Sequence, residues 1–268
     1  DYLGNRENVT VQPHYVDDTP PTTVKTYGTP SCEGVTVFWN TTGWSGNVSH
    51  YISSSTLINL SAMDYPSVCA SGVQKIQYRV YWWNETASVW NQTPVSGWST
   101  YTGPFTLGPD EGLYRIRMRS RDNLGSLEDA WDQYVMIDAT RPAATKEYGS
   151  PSYYGANVPW TGAGAGDVNH YITSDTLIYL NATDTGSGVD RIAYILQRWN
   201  GTSWILGVWM NYTGPLSPGS VGDVYECLHR FRYRVYDRMG NVRTYGNQYF
   251  MVDNSPPGTI KRVGSPKS

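Results

Sequence analysis

Strict alternation of apolar and polar residues is the strongest regular signal in the chain. Arg115-Ile116-Arg117-Met118-Arg119-Ser120-Arg121 and Arg230-Phe231-Arg232-Tyr233-Arg234-Val235-Tyr236 both run with a period of two, which predicts half-buried strands. Thr56-Leu57-Ile58-Asn59-Leu60-Ser61-Ala62 is matched by Thr176-Leu177-Ile178-Tyr179-Leu180-Asn181-Ala182. In this pair Ile58, Leu60 and Ala62, and likewise Ile178, Leu180 and Ala182, should face a core while the intervening positions face water. Short strands are expected at Thr22–Tyr27 and Thr145–Tyr148, and hairpins over Ile76–Trp83 and Ile192–Trp199. Between strand and strand, Gly/Trp-rich loops should lead to His50-Tyr51-Ile52 and His170-Tyr171-Ile172, and Asp64 and Asp184 should open turns toward Ser71-Gly72-Val73 and Ser187-Gly188-Val189.

These elements come in pairs because the chain repeats itself. Asp122–Pro142 and Asp237–Pro257 share one frame with Asp1–Pro21: an Asp, a Gly three residues on, a second Asp after sixteen residues and a Pro four residues later. The tight Asp-x-x-Gly reads as a turn and the Pro-bearing end as a joint that cannot continue a sheet ladder. The borders define a last strand of a preceding module at 1–17, one β-sandwich at 18–138, a second at 139–253, and the first strand or linker of a following module at 254–268. The chain thus reads as all-β, tandem Ig-like sandwiches with partial modules at both termini. Either it is a window on a longer array, the reading favoured here, or neighbouring chains complete the broken modules by strand addition.

Composition agrees with this class: 22 Tyr, 11 Trp and 27 Gly, with few helix-forming runs. The net charge of −3 gives no reason to expect nucleic acid or an anionic membrane as partner, and no apolar run could span a bilayer. Compartment is shown better by Asn-x-Ser/Thr sequons, at Asn8, Asn40, Asn47, Asn59, Asn84, Asn91, Asn181, Asn200 and Asn211. Asn84 and Asn200 each follow a Trp at equivalent repeat positions, and Asn59 and Asn181 fall on one outward strand face, so covalent N-glycans are expected on an extracellular protein. Cys32 and Cys69 belong to one repeat and are both missing from the other, which suggests a disulfide closing a loop of about 38 residues and contributing roughly 3–4 kcal/mol. Cys227 is left over, as a buried thiol or, less simply, an intermolecular bridge.

At Tyr101-Thr102-Gly103-Pro104-Phe105-Thr106-Leu107, Glu111–Arg117, Arg119–Gly125 and Asp138–Pro142 the chain resembles the prokaryotic Ig-like surface repeats. Its second repeat carries the same signature at Ser187-Gly188-Val189, Tyr212–Pro215 and Asp237-Arg238-Met239-Gly240-Asn241, with departures at Ser126, Cys227 and His229, where Asn, Gly and Tyr are usual. The resemblance implies stalk or accessory modules of archaeal surface-layer glycoproteins, bacterial adhesins or secreted polysaccharide-acting enzymes.

No motif for catalysis emerges. His50 and His170 sit beside tyrosines and suit structural hydrogen bonds, there is no nucleophile elbow or metalloprotease helix, and the Gly162–Gly166 run lacks the strand and helix of a nucleotide loop. The arginine faces read as the solvated side of half-buried strands. No cofactor is expected, save Ca2+ at the inter-module joints, where Asp17, Asp18, Asp138 and Asp253 could supply hard oxygen ligands. The plainer reading, an Asx turn before Pro, is preferred because no Ca2+ loop is complete. Trp82 and Trp83 are neighbours on a strand, so one should face outward and, with Trp204 and Trp209, could stack on a sugar or a subunit. The expected function is structural: an N-glycosylated segment of an archaeal-type S-layer, sheath, stalk or filament that self-associates at the cell surface. The alternatives are a carbohydrate-binding or adhesin module, or accessory domains of a secreted glycoside hydrolase.

Overall fold

The structure is a computed structural model that describes residues 2, 6, 11–12, 14–41, 44–93, 97–160, 166–205, 207–262 and 264. The chain separates into two compact units, Asp1–Ala139 and Thr140–Ser268. The first contains β1 (Thr22–Tyr27), β2 (Ser31–Thr41), β3 (Trp44–Ile52), β4 (Ile58–Met63), β5 (Val73–Asn84), β6 (Val89–Thr93), β7 (Ser99–Thr100), β8 (Gly112–Asp122) and β9 (Trp131–Ile137). β1 and β4 form a two-stranded sheet, and the others a larger one in the order β2-β3-β9-β8-β5-β6, with β7 also on β5. All pairs are antiparallel except β3 with β9.

The second unit repeats the plan with β10 (Ala143–Tyr148), β11 (Ser152–Trp160), β12 (Gly166–Ile172), β13 (Ile178–Thr183), β14 (Val189–Trp199), β15 (Trp204–Ile205), β16 (Met210–Asn211), β17 (Leu228–Asp237) and β18 (Val242–Val252). β10 pairs β13, and the larger sheet runs β11-β12-β18-β17-β14-β15, with β16 on β14 and β12 parallel to β18. Even the irregularities recur: a bulge interrupts β5/β8 at Val73–Lys75 and β14/β17 at Val189–Arg191.

Alternation explains the packing. Ile58 and Leu60 on the small sheet meet Ile52, Val80, Ile116, Met118 and Val135 of the large one, so the core lies between two sheets. In the second unit Ile178 and Leu180 meet Ile172, Leu196, Phe231, Val235 and Phe250 in the same way. Each unit is a β-sandwich, and truncating a central residue such as Ile116 to Ala should cost about 2–5 kcal/mol.

Two expectations are corrected. The segment before His50-Tyr51-Ile52 is not a loop but the β2–β3 hairpin, because Val35-Thr36-Val37-Phe38-Trp39 has enough β-branched and aromatic residues to pair despite the adjacent glycine. No disulfide joins Cys32 to Cys69: Cys32 is on β2 of the large sheet, whereas Cys69 lies in the turn after β4 with its thiol directed to the Pro66 carbonyl at 3.7 Å. Among the described residues, none before Thr22 and none after Val252 lies in a strand. The glycine-rich run at 161–165 lies outside the described residues.

Candidate functional site

The most chemically distinctive place in the first unit is assembled from three turns. Asp17 precedes β1, Asp64 follows β4 and Asp122 ends β8, and one carboxylate oxygen from each lies within 4.8 Å of the others. Asp17 and Asp122 are buried and Asp64 is half-buried. Backbone N–H groups meet these carboxylates: Thr19 N–H donates to Asp17 Oδ1 at 3.3 Å and Ser71 N–H to Asp17 Oδ2 at 2.6 Å. Gly72 N–H donates to Asp64 Oδ2 at 2.8 Å, and the N–H groups of Gly125 and Ser126 donate to Asp122 Oδ1 at 2.6 and 2.7 Å. Gly72 has φ +87° and Gly125 φ +103°, a left-handed backbone that glycine adopts without penalty and that aims these donors at the carboxylates. Asn123 locks two of the turns together, donating from its side chain to the Ser71 carbonyl at 2.7 Å and from its backbone to Gly72 at 3.0 Å.

Burial pushes the Asp122 carboxyl up, but the hydrogen bonds from Ser126 and Gly125 outweigh it and hold the group below the usual carboxylate range, with Asp17 opposing them by charge. The Ser71 N–H chiefly holds Asp17 low as well. Two oxygens, Asp64 Oδ1 and Asp122 Oδ2, are buried and accept no hydrogen bond.

Of the four acidic residues expected at the joints, Asp17 belongs to this cluster, whereas Asp18 is exposed. Asp138 is buried at the end of the first unit, where its N–H donates to the Ile52 carbonyl at 3.0 Å. Asp253 is exposed and accepts from Ser255 N–H at 3.1 Å, and among the described residues neither it nor Asp18 joins an acidic cluster. Sequence reading missed Asp64 and Asp122 because each looks like an ordinary turn aspartate. The signal that could have found them is that both recur, as Asp184 and Asp237.

Among the described residues, the tryptophans form no open row. Trp83 is buried against Val48 and Leu113, with Trp90 edge-on at 5.3 Å, and Trp199 and Trp204 repeat the contact at 5.4 Å. Arginines cover the rings: Arg230 lies over Trp204 at 4.4 Å, Arg234 over Trp209 at 4.3 Å, and Arg119 and Arg79 over Trp98 at 4.0 and 4.7 Å. The arginine faces are therefore stacked on aromatic rings rather than bare. Trp82 is half-buried and borders a cleft of about 480 Å³ with Tyr78, Arg79, Phe105, Asp110 and Tyr114. In the second unit the segment after Leu216 is longer and turns through a single 3-10 turn at Gly219–Val221, placing Val221 against the core.

One further constellation resembles a catalytic arrangement. Cys227 Sγ lies 4.0 Å from His229 Nδ1, and His229 Nε2 lies 3.2 Å from Asp223 Oδ2. Burial raises the thiol above its ordinary range and lowers the imidazole, so the pair is held as neutral thiol and neutral imidazole rather than as the thiolate a nucleophile needs. His229 Nδ1 is also 2.9 Å from the Cys227 carbonyl and its ring stacks on Phe250 at 5.4 Å, which suits packing.

Among the sequons, Asn47, Asn181, Asn200 and Asn211 are exposed, and Asn59, Asn84 and Asn91 are half-buried. Asn8 and the side chain of Asn40 lie outside the described residues.

No family model and no curated protein matches this sequence. Among solved structures, the fibronectin(III)-like modules of Clostridium thermocellum CbhA are similar at 13% identity and TM-score 0.33, over 89% of this chain and 100% of that one. Dimeric latent PorU from Porphyromonas gingivalis is similar at 13% identity and TM-score 0.24, over 93% of this chain and 21% of that one.

Proposed function

We propose that this chain is a structural extracellular segment, an N-glycosylated pair of Ig-like modules in a cell-surface layer, sheath, stalk or filament. The observation that carries the reading is the placement of the sequons: four asparagines stand exposed on strands and turns around filled cores, and no described one is buried. Self-association is supported by the edge strands. β2 and β11 end their large sheets and expose Val35, Phe38, Tyr153 and Tyr154, apolar side chains that an edge left in water would ordinarily avoid. Mapping of glycopeptides from native material should find Asn181, Asn200 and Asn211 modified, and electron microscopy should show regular polymers. Unmodified sequon peptides together with a monodisperse monomer would overturn the proposal.

A carbohydrate-binding module is the second reading, favoured by the aromatic cleft beside Trp82 in the first unit. Binding on a glycan array that is lost in Trp82→Ala, with the fold intact, would replace the structural reading. The burial of Trp83 removes it as a direct sugar platform.

A further inference from the structure

We infer that Asp17, Asp64 and Asp122 bind a divalent cation, Ca2+, in the first unit. Three acidic side chains within 4.8 Å of one another would ordinarily be scattered by their own repulsion or neutralised by a basic partner. Among the described residues, no lysine or arginine forms a salt bridge with any of the three. Arg121, the nearest basic residue along the chain, runs beside Gly125 instead. The backbone donors described above fix the Asp17 and Asp122 carboxylates in place, and both residues are buried, so the cluster lies in a place largely shielded from water.

The independent observation is the pair of unused oxygens. Asp122 is fully buried, and while its Oδ1 takes two backbone hydrogen bonds, its Oδ2 takes none. Asp64 shows the same division, with Oδ2 bonded to Gly72 and Oδ1 buried and without a hydrogen bond. A buried carboxylate oxygen without a donor costs about 1–3 kcal/mol or more, and a cation removes that cost at both atoms at once. Oxygen ligands alone, with no imidazole or thiolate, select a hard ion. Ca2+ accepts irregular sets of protein oxygens, whereas Mg2+ demands near-ideal octahedral geometry and keeps several of its waters.

In the second unit Asp184 Oδ1 is, like Asp64 Oδ1, buried and without a hydrogen bond, and the two units differ at the aspartate that ends the long strand. There the Asn241 side-chain amide donates to Asp237 Oδ2 at 2.7 Å, and Asn241 N–H donates to Oδ1 at 2.8 Å, so the oxygen that is open in Asp122 is closed. Ser126 occupies the corresponding turn position in the first unit and, with a hydroxyl in place of the amide, leaves Asp122 Oδ2 without a hydrogen bond.

The test uses the full chain, stripped with EDTA and titrated with CaCl2, with MgCl2 and ionic-strength-matched NaCl as controls. Calorimetry should show saturable Ca2+ binding with a Kd on the order of 10⁻⁴–10⁻³ M. The first unit should melt roughly 5–10 °C higher in 10 mM CaCl2 than in EDTA. Ser126→Asn, which supplies the amide found in the second unit, and Asp64→Asn, which keeps the acceptor for Gly72, should each weaken this binding at least tenfold while leaving the protein folded. No heat and no melting shift in the wild-type chain would overturn the proposal. So would a Ca2+ response that survives undiminished in both variants.

Discussion

The two units share a topology, a bulge position and a Trp–Trp contact, yet they fasten β1 and β10 to their sandwiches by different chemistry. In the first unit the Glu128 carboxylate accepts from Thr23 N–H at 2.9 Å, Thr23 Oγ1 at 2.5 Å, Ser120 N–H at 2.8 Å, Ser120 Oγ at 2.9 Å and Trp131 Nε1 at 3.2 Å. In the second, Ala144 takes the place of Thr23, its N–H donates to the Tyr245 hydroxyl at 2.6 Å, and the Tyr245 ring stacks on Tyr233 at 4.4 Å. One solution concentrates polar groups on a single charged acceptor and the other spreads the load over aromatic surface. The backbone plan is therefore the constrained quantity, and the side chains that satisfy it can change as long as the buried N–H groups keep partners.

That contrast sets the largest expected effect. Glu128→Ala strands several buried donors at once, including those of Ser120 and Thr23, and should destabilise the first unit by about 3–5 kcal/mol in urea unfolding. Tyr245→Phe removes one hydrogen bond while keeping the stack, so the second unit should lose only about 1 kcal/mol. Equal losses would mean that the two fastenings are energetically the same and that the comparison fails.

The next effect is smaller and acts on the aspartate turns. Asn241→Ser should cost the second unit about 1–2 kcal/mol in chelator, because it leaves Asp237 Oδ2 without its amide. Ser126→Asn should stabilise the first unit in chelator by a similar amount and lose that advantage when Ca2+ is present. Melting curves of both variants with and without EDTA separate the two outcomes. If Asn241→Ser is neutral, the amide is not what distinguishes the turns.

The sandwich was legible because alternation fixes which side chains meet: Ile58 and Leu60, and likewise Ile178 and Leu180, face their cores as read. The acidic cluster was not, since its members are far apart in the sequence and only strand pairing brings their turns together. Each aspartate alone satisfies the ordinary logic of an Asx turn, and the oxygens left over appear only in three dimensions. The tryptophans misled for a related reason. Neighbours on a strand do point to opposite faces, but β5 is covered on both, by the main core on one side and by Trp90 and Leu113 on the other. The cysteine pair failed because presence in the same repeat carries no information about distance.

The last effect concerns a feature the units share, an inward lysine on the short sheet. Burial pulls Lys25 and Lys146 down to about 7, far below the ordinary lysine range, and pushes the neighbouring Tyr27 and Tyr148 hydroxyls up, so neither pair is an ion pair. Lys146 Nζ donates to the Tyr148 hydroxyl at 2.6 Å, whereas Lys25 Nζ sits over the Tyr27 ring, 3.3 Å from its centre. Between about pH 7 and 10.5 the unfolded chain holds a proton on each lysine that the folded chain has released. Stability should therefore rise with pH across that window, by at most about 1.4 kcal/mol per pH unit for each lysine. Below pH 7 both states are protonated and the lysines add no further slope. Lys25→Met should stabilise the first unit by about 1 kcal/mol at pH 7 and flatten its pH dependence, because it removes a desolvated amine without breaking a hydrogen bond. Lys146→Met should gain less, because it also leaves the Tyr148 hydroxyl without its donor. Urea unfolding at pH 7, 8 and 9.5 reads both effects, and a wild-type stability that stays flat or falls over that range would show that these lysines keep their charge when buried.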